Sequence, residues 1–251
     1  MKRAAILSIS LIFSFTAPLL AEEAGDPQVP EFTAAQQAFL NLPEEERQRF
    51  VEIVNDAARL FQEKRIFETL EKVHEANRIF DGSPELMNLQ ASCYVEIRNF
   101  DRAMEIYKIA EELAPDNPSI KFNIAEVYFV TGKWQQSHGR FSALMEQIPE
   151  ENVALGRLVE FKIMLTKIRL DRMDEAQALA EKYDFLDDSP FHYYANAALA
   201  FEAQDEINAE EWIARATRIF RNPQILAPWQ DTLIEFGYIR SFYGGDIQPG
   251  N

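Results

Sequence analysis

Apolar and polar positions repeat in two consecutive segments between Pro84 and Pro149, each with the periodicity of two short helices. A polar break at Arg98-Asn99 separates the helices of the first segment. Residues 34 positions apart match in kind: Pro84 and Pro118, Ala91 and Ala125, Tyr94 and Tyr128, Phe100 and Trp134, Tyr107 and Phe141, and Pro115 and Pro149. A fixed period of this length predicts an array of helical repeats, each built as helix, turn, helix.

Residue size explains why these types recur within a segment. Ala91 and Ala110 allow two helices to approach closely, while Tyr94 and Tyr107 fill the space between them. Asp101 is expected to be the N-cap of the second helix. Pro115 marks the end of that helix, because proline does not continue a helical hydrogen-bond pattern.

The pattern resembles the tetratricopeptide repeat (TPR). The family places small residues at its eighth, twentieth and twenty-seventh positions, aromatic residues at its eleventh and twenty-fourth, and proline at its thirty-second. One segment meets all six with Ala91, Ala103, Ala110, Tyr94, Tyr107 and Pro115, and the next departs from the pattern at Ser137 and Leu144. The resemblance implies an all-α fold: a right-handed α-α superhelix, a TPR-like solenoid, of four to five helix pairs with a C-terminal capping helix.

Weaker copies of the pattern extend the predicted array over residues 43–223. The register slips by about five residues across Glu150 to Gly156, and the next helix is expected from Arg157 to Leu170. Residues 22–42 read as a flexible leader with a short helix. Residues 224–251 read as a capping helix and tail, because a solenoid must cover the apolar face of its last repeat.

The N-terminus has the layout of a secretory signal peptide over residues 1–21. Lys2 and Arg3 precede an uncharged apolar run that ends at Ala21, directly before two glutamates. This layout predicts export, and hence a periplasmic or secreted protein with no membrane span after cleavage. The alternative is an uncleaved membrane anchor, since the run is nearly long enough to span a bilayer.

The net negative charge of the chain limits the classes of partner that it can bind. The formal net charge is −16 at pH 7, and removal of residues 1–21, which hold two basic and no acidic residues, makes it −18. A field of this sign repels phosphate backbones and anionic lipid surfaces. Nucleic acid is therefore excluded as a predicted partner.

The sequence offers little catalytic or metal-binding chemistry. His74, His138 and His192 fall in different repeats, and the Glu71-x-x-His74 spacing of a di-iron helix has no second copy. There is no glycine-rich phosphate loop and no nucleophile elbow. Cys93 is the single cysteine and is expected to be a buried structural residue. We therefore predict no catalytic residues, no metal site and no cofactor.

The resemblance to TPR proteins also predicts a binding groove. In a TPR array the first helix of each pair lines a concave groove, and the family's groove positions fall here on Phe61, Asn88, Val95, Phe122, Glu126, Phe129, Tyr194 and Phe201. The lysines with which chaperone-binding TPRs clamp a terminal carboxylate are missing. The expected partner is an amphipathic or apolar protein segment with basic flanks. Alternatively, these aromatic residues contact neighbouring helices, or the segment from Phe32 to Leu40 folds back over them.

These observations predict a non-enzymatic protein–protein interaction scaffold or adaptor of the bacterial envelope. Two alternatives stay open. The first is an accessory subunit of an envelope secretion or assembly machine. The second is a helical hydrolase whose active site the pattern does not reveal, for which the region from Arg157 to Tyr183 is the first place to look.

Overall fold

The computed structural model describes residues 32–239, and within that range the chain forms twelve α-helices and no β-strand. Residues 1–31 and 240–251, which include the predicted signal peptide, most of the leader and the tail, lie outside the described residues. The helices are α1 (Ala34–Leu40), α2 (Glu44–Gln62), α3 (Ile66–Asn77), α4 (Pro84–Glu96), α5 (Phe100–Leu113), α6 (Pro118–Val130), α7 (Trp134–Met145), α8 (Val153–Arg169), α9 (Met173–Ala180), α10 (Phe191–Glu202), α11 (Glu206–Ile219) and α12 (Pro223–Phe236). The predicted all-α class is confirmed.

Helices α2 to α11 are arranged as five consecutive pairs, and the two members of a pair pack against each other. We call α2, α4, α6, α8 and α10 the first helices, and α3, α5, α7, α9 and α11 the second helices. The chain divides into two compact units, with the boundary inside α6 between Asn123 and Ile124. Among residues 32–239, no helix is both long and apolar enough to cross a bilayer.

Each first helix ends in the same left-handed turn. The residues with positive φ are Lys64, Arg98, Gly132, Asp171 and Gln204, with φ between 58° and 69°. The backbone N–H of each following residue donates to a carbonyl five residues earlier, as from Arg65 to Leu60 at 2.9 Å, which is the hydrogen bond of a Schellman motif. This turn reverses the chain after one residue, so that the second helix begins two positions later.

The spacing of these turns reproduces the predicted repeat and its slip. Successive left-handed residues from Lys64 to Gln204 lie 34, 34, 39 and 33 positions apart. Most of the extra residues do not fall in the connecting loop, which has seven residues (146–152) where the two preceding repeats have six (78–83) and four (114–117). They lengthen α8, which has 17 residues where α4 and α6 have 13, so this helix starts at Val153 and not at Arg157 as expected. The insertion therefore adds about one helical turn.

The unit of residues 32–123 has its core between α2, α3 and α4. The ring of Phe39 on α1 lies 5.2 Å from that of Phe50 and 5.5 Å from that of Phe80, so the short N-terminal helix packs on this core. The expected N-cap at Asp101 is wrong by two residues. Asn99 caps α5 by accepting a hydrogen bond from the backbone N–H of Arg102 at 3.3 Å, and Asp101 lies in the first turn.

In the unit of residues 124–239, α8 is the central helix. It contacts α7, α9, α10 and α12, and every residue from Leu158 to Ile168 is buried. A helix in a two-layer array normally exposes one polar face. The inward burial of Glu160, Lys162 and Lys167 therefore needs partners from the surrounding helices.

The left-handed turn predicts a gain in stability from glycine. A side chain with a β-carbon in this conformation costs about 1 kcal/mol or more, so Gln204→Gly is expected to raise the free energy of unfolding by about 0.5–1 kcal/mol, measured by urea denaturation. Ala203→Gly is the matched control, because Ala203 has φ −75° and glycine there only increases backbone entropy in the unfolded state. Destabilisation by both substitutions would contradict the turn assignment.

Candidate partner-binding site

All eight predicted groove residues lie on first helices, as expected for groove positions. Seven are buried, and Phe201 is half-buried. They divide between the two units: Phe61, Asn88, Val95 and Phe122 belong to residues 32–123, and Glu126, Phe129, Tyr194 and Phe201 belong to residues 124–239. Their use by a partner remains a prediction.

In the unit of residues 32–123, polar groups of the first helices bind one another. Asn88 on α4 accepts a hydrogen bond from Nδ2 of Asn123 on α6 at 2.9 Å. The ammonium of Lys64, in the turn after α2, lies 2.9 Å from Oε1 of Glu96 on α4 and 5.7 Å from the ring centre of Phe61. These contacts fix the spacing of adjacent first helices.

In the unit of residues 124–239, the C-terminal helix α12 covers the predicted groove residues. The sequence sets its ends. Asn222 caps the N-terminus by accepting from the N–H of Gln224 at 3.0 Å, Pro223 takes the first helical position, and Gly237 ends the helix with φ 92°. Its buried residues are Leu226, Trp229, Thr232, Leu233 and Phe236, which form one face at helical spacing.

The aromatic ring of Trp229 anchors the first half of α12. Its centre lies 5.7 Å from that of Tyr194 on α10, 5.3 Å from that of Phe161 on α8 and 6.4 Å from that of Phe191. Tyr194 is fully buried, and burial raises the pKa of its hydroxyl well above the ordinary value. This predicted groove residue is thus part of an aromatic cluster with α12.

A buried lysine lies at the middle of α12. Nζ of Lys162 on α8 is 2.8 Å from Oε1 and 3.0 Å from Oε2 of Glu126, and 3.5 Å from Oε2 of Glu235 on α12. The side chains of Lys162 and Glu235 are each 2% exposed. The ammonium also lies 4.7 Å from the ring centre of Phe129. Two of the predicted groove residues therefore surround one cation that α12 closes off.

Aromatic rings and a guanidinium hold the C-terminal end of α12. The ring of Phe236 lies 5.8 Å from that of Phe129 and 5.5 Å from that of Trp134. Arg169, the last residue of α8, donates from Nη2 to the carbonyl oxygen of Phe236 at 3.0 Å, with its guanidinium carbon 4.1 Å from the same ring. A cation at this end of a helix offsets the partial negative charge of its open carbonyls.

Just beyond α12, Tyr238 stacks on Phe201 with ring centres 5.3 Å apart and planes at 18°, and its hydroxyl donates to Glu202 at 2.7 Å. The contacts of α12 advance in the same direction along α8 and α10, from Phe161 and Tyr194 to Arg169 and Phe201. Helix α12 therefore runs parallel to these first helices and contacts residues of three of them. It covers more than the last repeat, which was the face that a capping helix was expected to cover.

The charges around Lys162 are unequal in number. Burial alone lowers the pKa of Lys162, but the adjacent carboxylates of Glu126 and Glu235 outweigh that effect and the pKa is raised. Burial raises the pKa of Glu235 from 4.5 to about 8; Lys162 opposes this rise, and the charges of Glu126 and Asp231 add to it. One lysine thus faces two carboxyl groups, and burial together with the charge of Glu126 favours the protonated form of Glu235.

Sequence reasoning found Glu126, Phe129, Tyr194 and Phe201, and it placed Trp229 and Phe236 on a capping helix without assigning them to this cluster. It missed Lys162, Arg169 and Glu235. One signal was present: Glu160, Lys162 and Lys167 interrupt the apolar run of α8 on several faces. Charges spread around a helix that is otherwise apolar indicate a helix enclosed by neighbours that supply counter-charges.

The region from Arg157 to Tyr183, proposed above as the place to seek an active site, contains paired charges. Arg157 binds Asp187 at 3.1 Å and lies 3.6 Å from the ring centre of Tyr183, and Lys182 binds Glu160. These ion pairs connect α8 with the segment that follows α9. Each of these pairs holds the segment of residues 181–190 against α8.

His138 is also part of a structural network. Its Nε2 lies 3.0 Å from Nη1 of Arg172, and its Nδ1 lies 3.0 Å from the hydroxyl of Thr166. Burial lowers the pKa of His138, followed by the charges of Lys167 and Arg172. The neutral imidazole therefore accepts from Arg172 and donates to Thr166, which links α7 to α8 and to the turn before α9.

Neither metal nor thiol chemistry emerges from the described part of the chain. Residues 32–239 contain no group of three or more histidine, cysteine, aspartate or glutamate side chains able to hold a metal ion. Cys93 is fully buried, and burial raises the pKa of its thiol to about 12, with Glu96 adding to the shift. A thiol in this state is a poor nucleophile.

Comparisons with known proteins agree with this architecture. The sequence matches no curated protein. A family model described as YpiA-like tetratricopeptide repeats matches residues 108–148. The fold is that of a TPR solenoid. The TPR match covers α6, α7 and the end of α5, which is the region where the repeat pattern was recognised.

Solved structures share the TPR fold at low sequence identity. A putative kinesin light chain protein with TPR-like repeats from Podospora anserina has a TM-score of 0.57 and 13% identity, covering 73% of this chain and 99% of that one. PilF from Pseudomonas aeruginosa has a TM-score of 0.55 and 12% identity, covering 77% and 94%. A thermophilic TPR protein from Thermus thermophilus has a TM-score of 0.55 and 16% identity, covering 74% and 99%.

The buried carboxyl group of Glu235 predicts a pH-dependent stability. Its pKa is higher in the folded protein than in the unfolded chain, so the folded state binds more protons between about pH 4.5 and about pH 8, and the stability that this proton supplies is lost as the pH rises through that window. We expect the melting temperature of the native protein, compared with that of Glu235→Gln, to fall over this range.

The matched control for this comparison is Glu210→Gln, which removes an exposed glutamate from the neighbouring helix α11. This variant is expected to follow the native protein across the range. If Glu235→Gln and the native protein keep a constant difference in melting temperature from pH 4.5 to pH 8, the carboxyl group is not buried as described.

Proposed function

We propose that this protein is a non-enzymatic scaffold of the bacterial envelope that binds a protein partner through the inner face of its first helices. The TPR fold supports the scaffold role, because TPR arrays bind protein or peptide partners. The observation that carries the proposal is the packing of α12. A single amphipathic helix lies on the predicted groove residues Glu126, Phe129, Tyr194 and Phe201, in the manner in which a partner helix binds a groove.

The chemistry of this face suits a helix or an apolar segment. Phe129 and Tyr194 present aromatic rings, and the acidic balance of the whole chain favours basic flanks on the partner. In the unit of residues 32–123, the predicted groove residues are Phe61, Asn88, Val95 and Phe122. Burial of apolar area at about 25 cal/mol per Å² would supply most of the binding free energy.

The sequence of residues 1–21 supports the proposed envelope location. The basic pair Lys2 and Arg3, the apolar run and the alanine before Glu22 together favour export and cleavage. The accessory-subunit alternative shares this location and differs only in whether the partner performs a reaction. An uncleaved anchor would place the same array at the membrane surface.

Site-specific crosslinking in intact cells tests the binding face. A photoreactive phenylalanine analogue in place of Phe201, which is half-buried, is expected to form an adduct with a partner protein, seen as a new band of higher mass. The matched control is the same analogue in place of Phe67, which lies on a second helix and is 73% exposed. Equal adducts at both positions, or adducts at Phe67 alone, would place the binding surface elsewhere.

Export has its own test. The protein recovered from cells by an affinity tag at the C-terminus is expected to begin at Glu22 when its N-terminal peptide is identified by mass spectrometry. The expected fraction is the periplasm or the medium. A protein that retains Met1 and sediments with membranes would support the uncleaved anchor, and one that retains Met1 in the cytoplasmic fraction would overturn the envelope assignment.

A further inference from the structure

We propose that α12 is an internal ligand of the groove, and that the partner is an amphipathic helix that displaces it by presenting the same pattern: an aromatic residue, a carboxyl or amide side chain six positions later, and a second aromatic residue at the seventh. This inference rests on the proposed function and specifies the partner. It follows from three properties of the α12 interface.

The first property is that α12 stands outside the repeat. Helices α2 to α11 form pairs in which each first helix has a second helix, whereas α12 follows α11 as a single helix. Its contacts include side chains of three first helices, among them Phe129, which lies in a pair two repeats earlier in the chain than the pair α10 and α11. A helix that only closed the end of the array would contact the last pair.

The second property is a short recognition pattern. Trp229 and Phe236 are separated by two helical turns and enter two separate aromatic clusters, one around Tyr194 and one around Phe129. Glu235 lies between the clusters and faces Lys162. The helix then stops at Gly237, so the free carbonyl of Phe236 meets the guanidinium of Arg169. A helix with this spacing and this end would present the same four groups to α6, α8 and α10.

The third property is that the ion pair between Lys162 and Glu126 does not depend on α12. Lys162 and Glu126 form an ion pair of 2.8 Å by themselves, so release of α12 leaves no buried charge without a partner. Glu235 is the additional carboxyl group, and the groups that face it are Lys162 on α8, Glu126 on α6 and Asp231 on its own helix. A neutral amide at this position of a partner helix avoids the second negative charge, and so binds without a proton.

A peptide binding experiment tests this inference. The probe is a synthetic, fluorescein-labelled peptide with the sequence of residues 222–239, and binding is measured by fluorescence anisotropy. The receptor is the full-length mature chain carrying Trp229→Ala, which weakens the internal helix and leaves the groove residues unchanged. We expect this variant to bind the peptide at least tenfold more tightly than the unmodified chain, in which α12 competes.

The pH dependence gives the sharpest readout. Because the peptide carboxyl group takes up a proton on binding, its affinity for the released groove is expected to fall by about tenfold per pH unit between about pH 5 and about pH 8. A peptide with glutamine at the position of Glu235 is expected to lack this dependence. A peptide with alanine at the position of Trp229 is the matched negative control.

Binding must also depend on the groove. Lys162→Met combined with Trp229→Ala is expected to weaken peptide binding at least tenfold at every pH, because the cation that contacts Glu126 and Glu235 is gone. The pH dependence is expected to remain, because burial and the charge of Glu126 still raise the pKa of the peptide carboxyl group. If Trp229→Ala fails to fold by circular dichroism, Glu235→Lys replaces it, since a second ammonium beside Lys162 expels α12 by charge repulsion.

Three outcomes would overturn the inference. A folded release variant that does not bind the peptide would make α12 a permanent part of the core. Equal binding of the alanine control peptide would show that the pattern is not recognised. A release variant that dimerises and binds no peptide would identify a second copy of the chain as the occupant. None of these results decides the crosslinking test at Phe201, so the two proposals fail separately.

Discussion

The need to pair one buried cation governs the arrangement of residues 124–239. Lys162 lies on the central helix with its ammonium sealed from water, and an unpaired charge in such a place costs several kcal/mol or more. Glu126 on α6 meets that need, and this fixes α6 against α8. Glu235 then positions α12 over both helices. The apolar contacts of Trp229 and Phe236 supply most of the attraction, whereas the contact between Lys162 and Glu235 sets the register in which they form.

The regular and the irregular parts of the chain are held by different interactions. The left-handed turns at Lys64, Arg98 and Gly132 are local, because each depends on one backbone conformation and on hydrogen bonds within a few residues. The α12 interface is non-local, because Lys162 and Glu235 are 73 positions apart. Local turns repeat with the sequence period, but a non-local contact has no period. The helix pairs are therefore the constant part of this fold and α12 is the feature specific to this chain.

This difference explains what the sequence could and could not predict. The period and the helix pairs are encoded in residues such as Tyr94, Ala125 and Phe141, which can be read by spacing. The five-residue slip can be read from the loss of that register after Pro149. The start of α8 was placed four residues late because the slip looked like a loop, although Val153 and Leu155 continue the helix. The cover over Glu126 and Phe129 was not predicted, because spacing identifies residues that face inward and does not say which segment lies on them.

Inward-facing positions of a helical array can be covered by a segment of the same chain. Positions such as Phe129 and Tyr194 are inward-facing in any TPR array, and here they are buried by the chain's own helix. Their burial does not remove them from the proposed binding role, because a partner helix with the same pattern would present the same groups as Trp229, Phe236 and Glu235. The free energy needed to displace α12 depends on Glu235. Docking of α12 favours the protonated carboxyl group, and protonation becomes less favourable as the pH rises towards 8. A partner helix with an amide at that position needs no proton to bind. Its advantage in affinity over α12 is therefore greatest at high pH, where the carboxyl group of a free α12 is ionised.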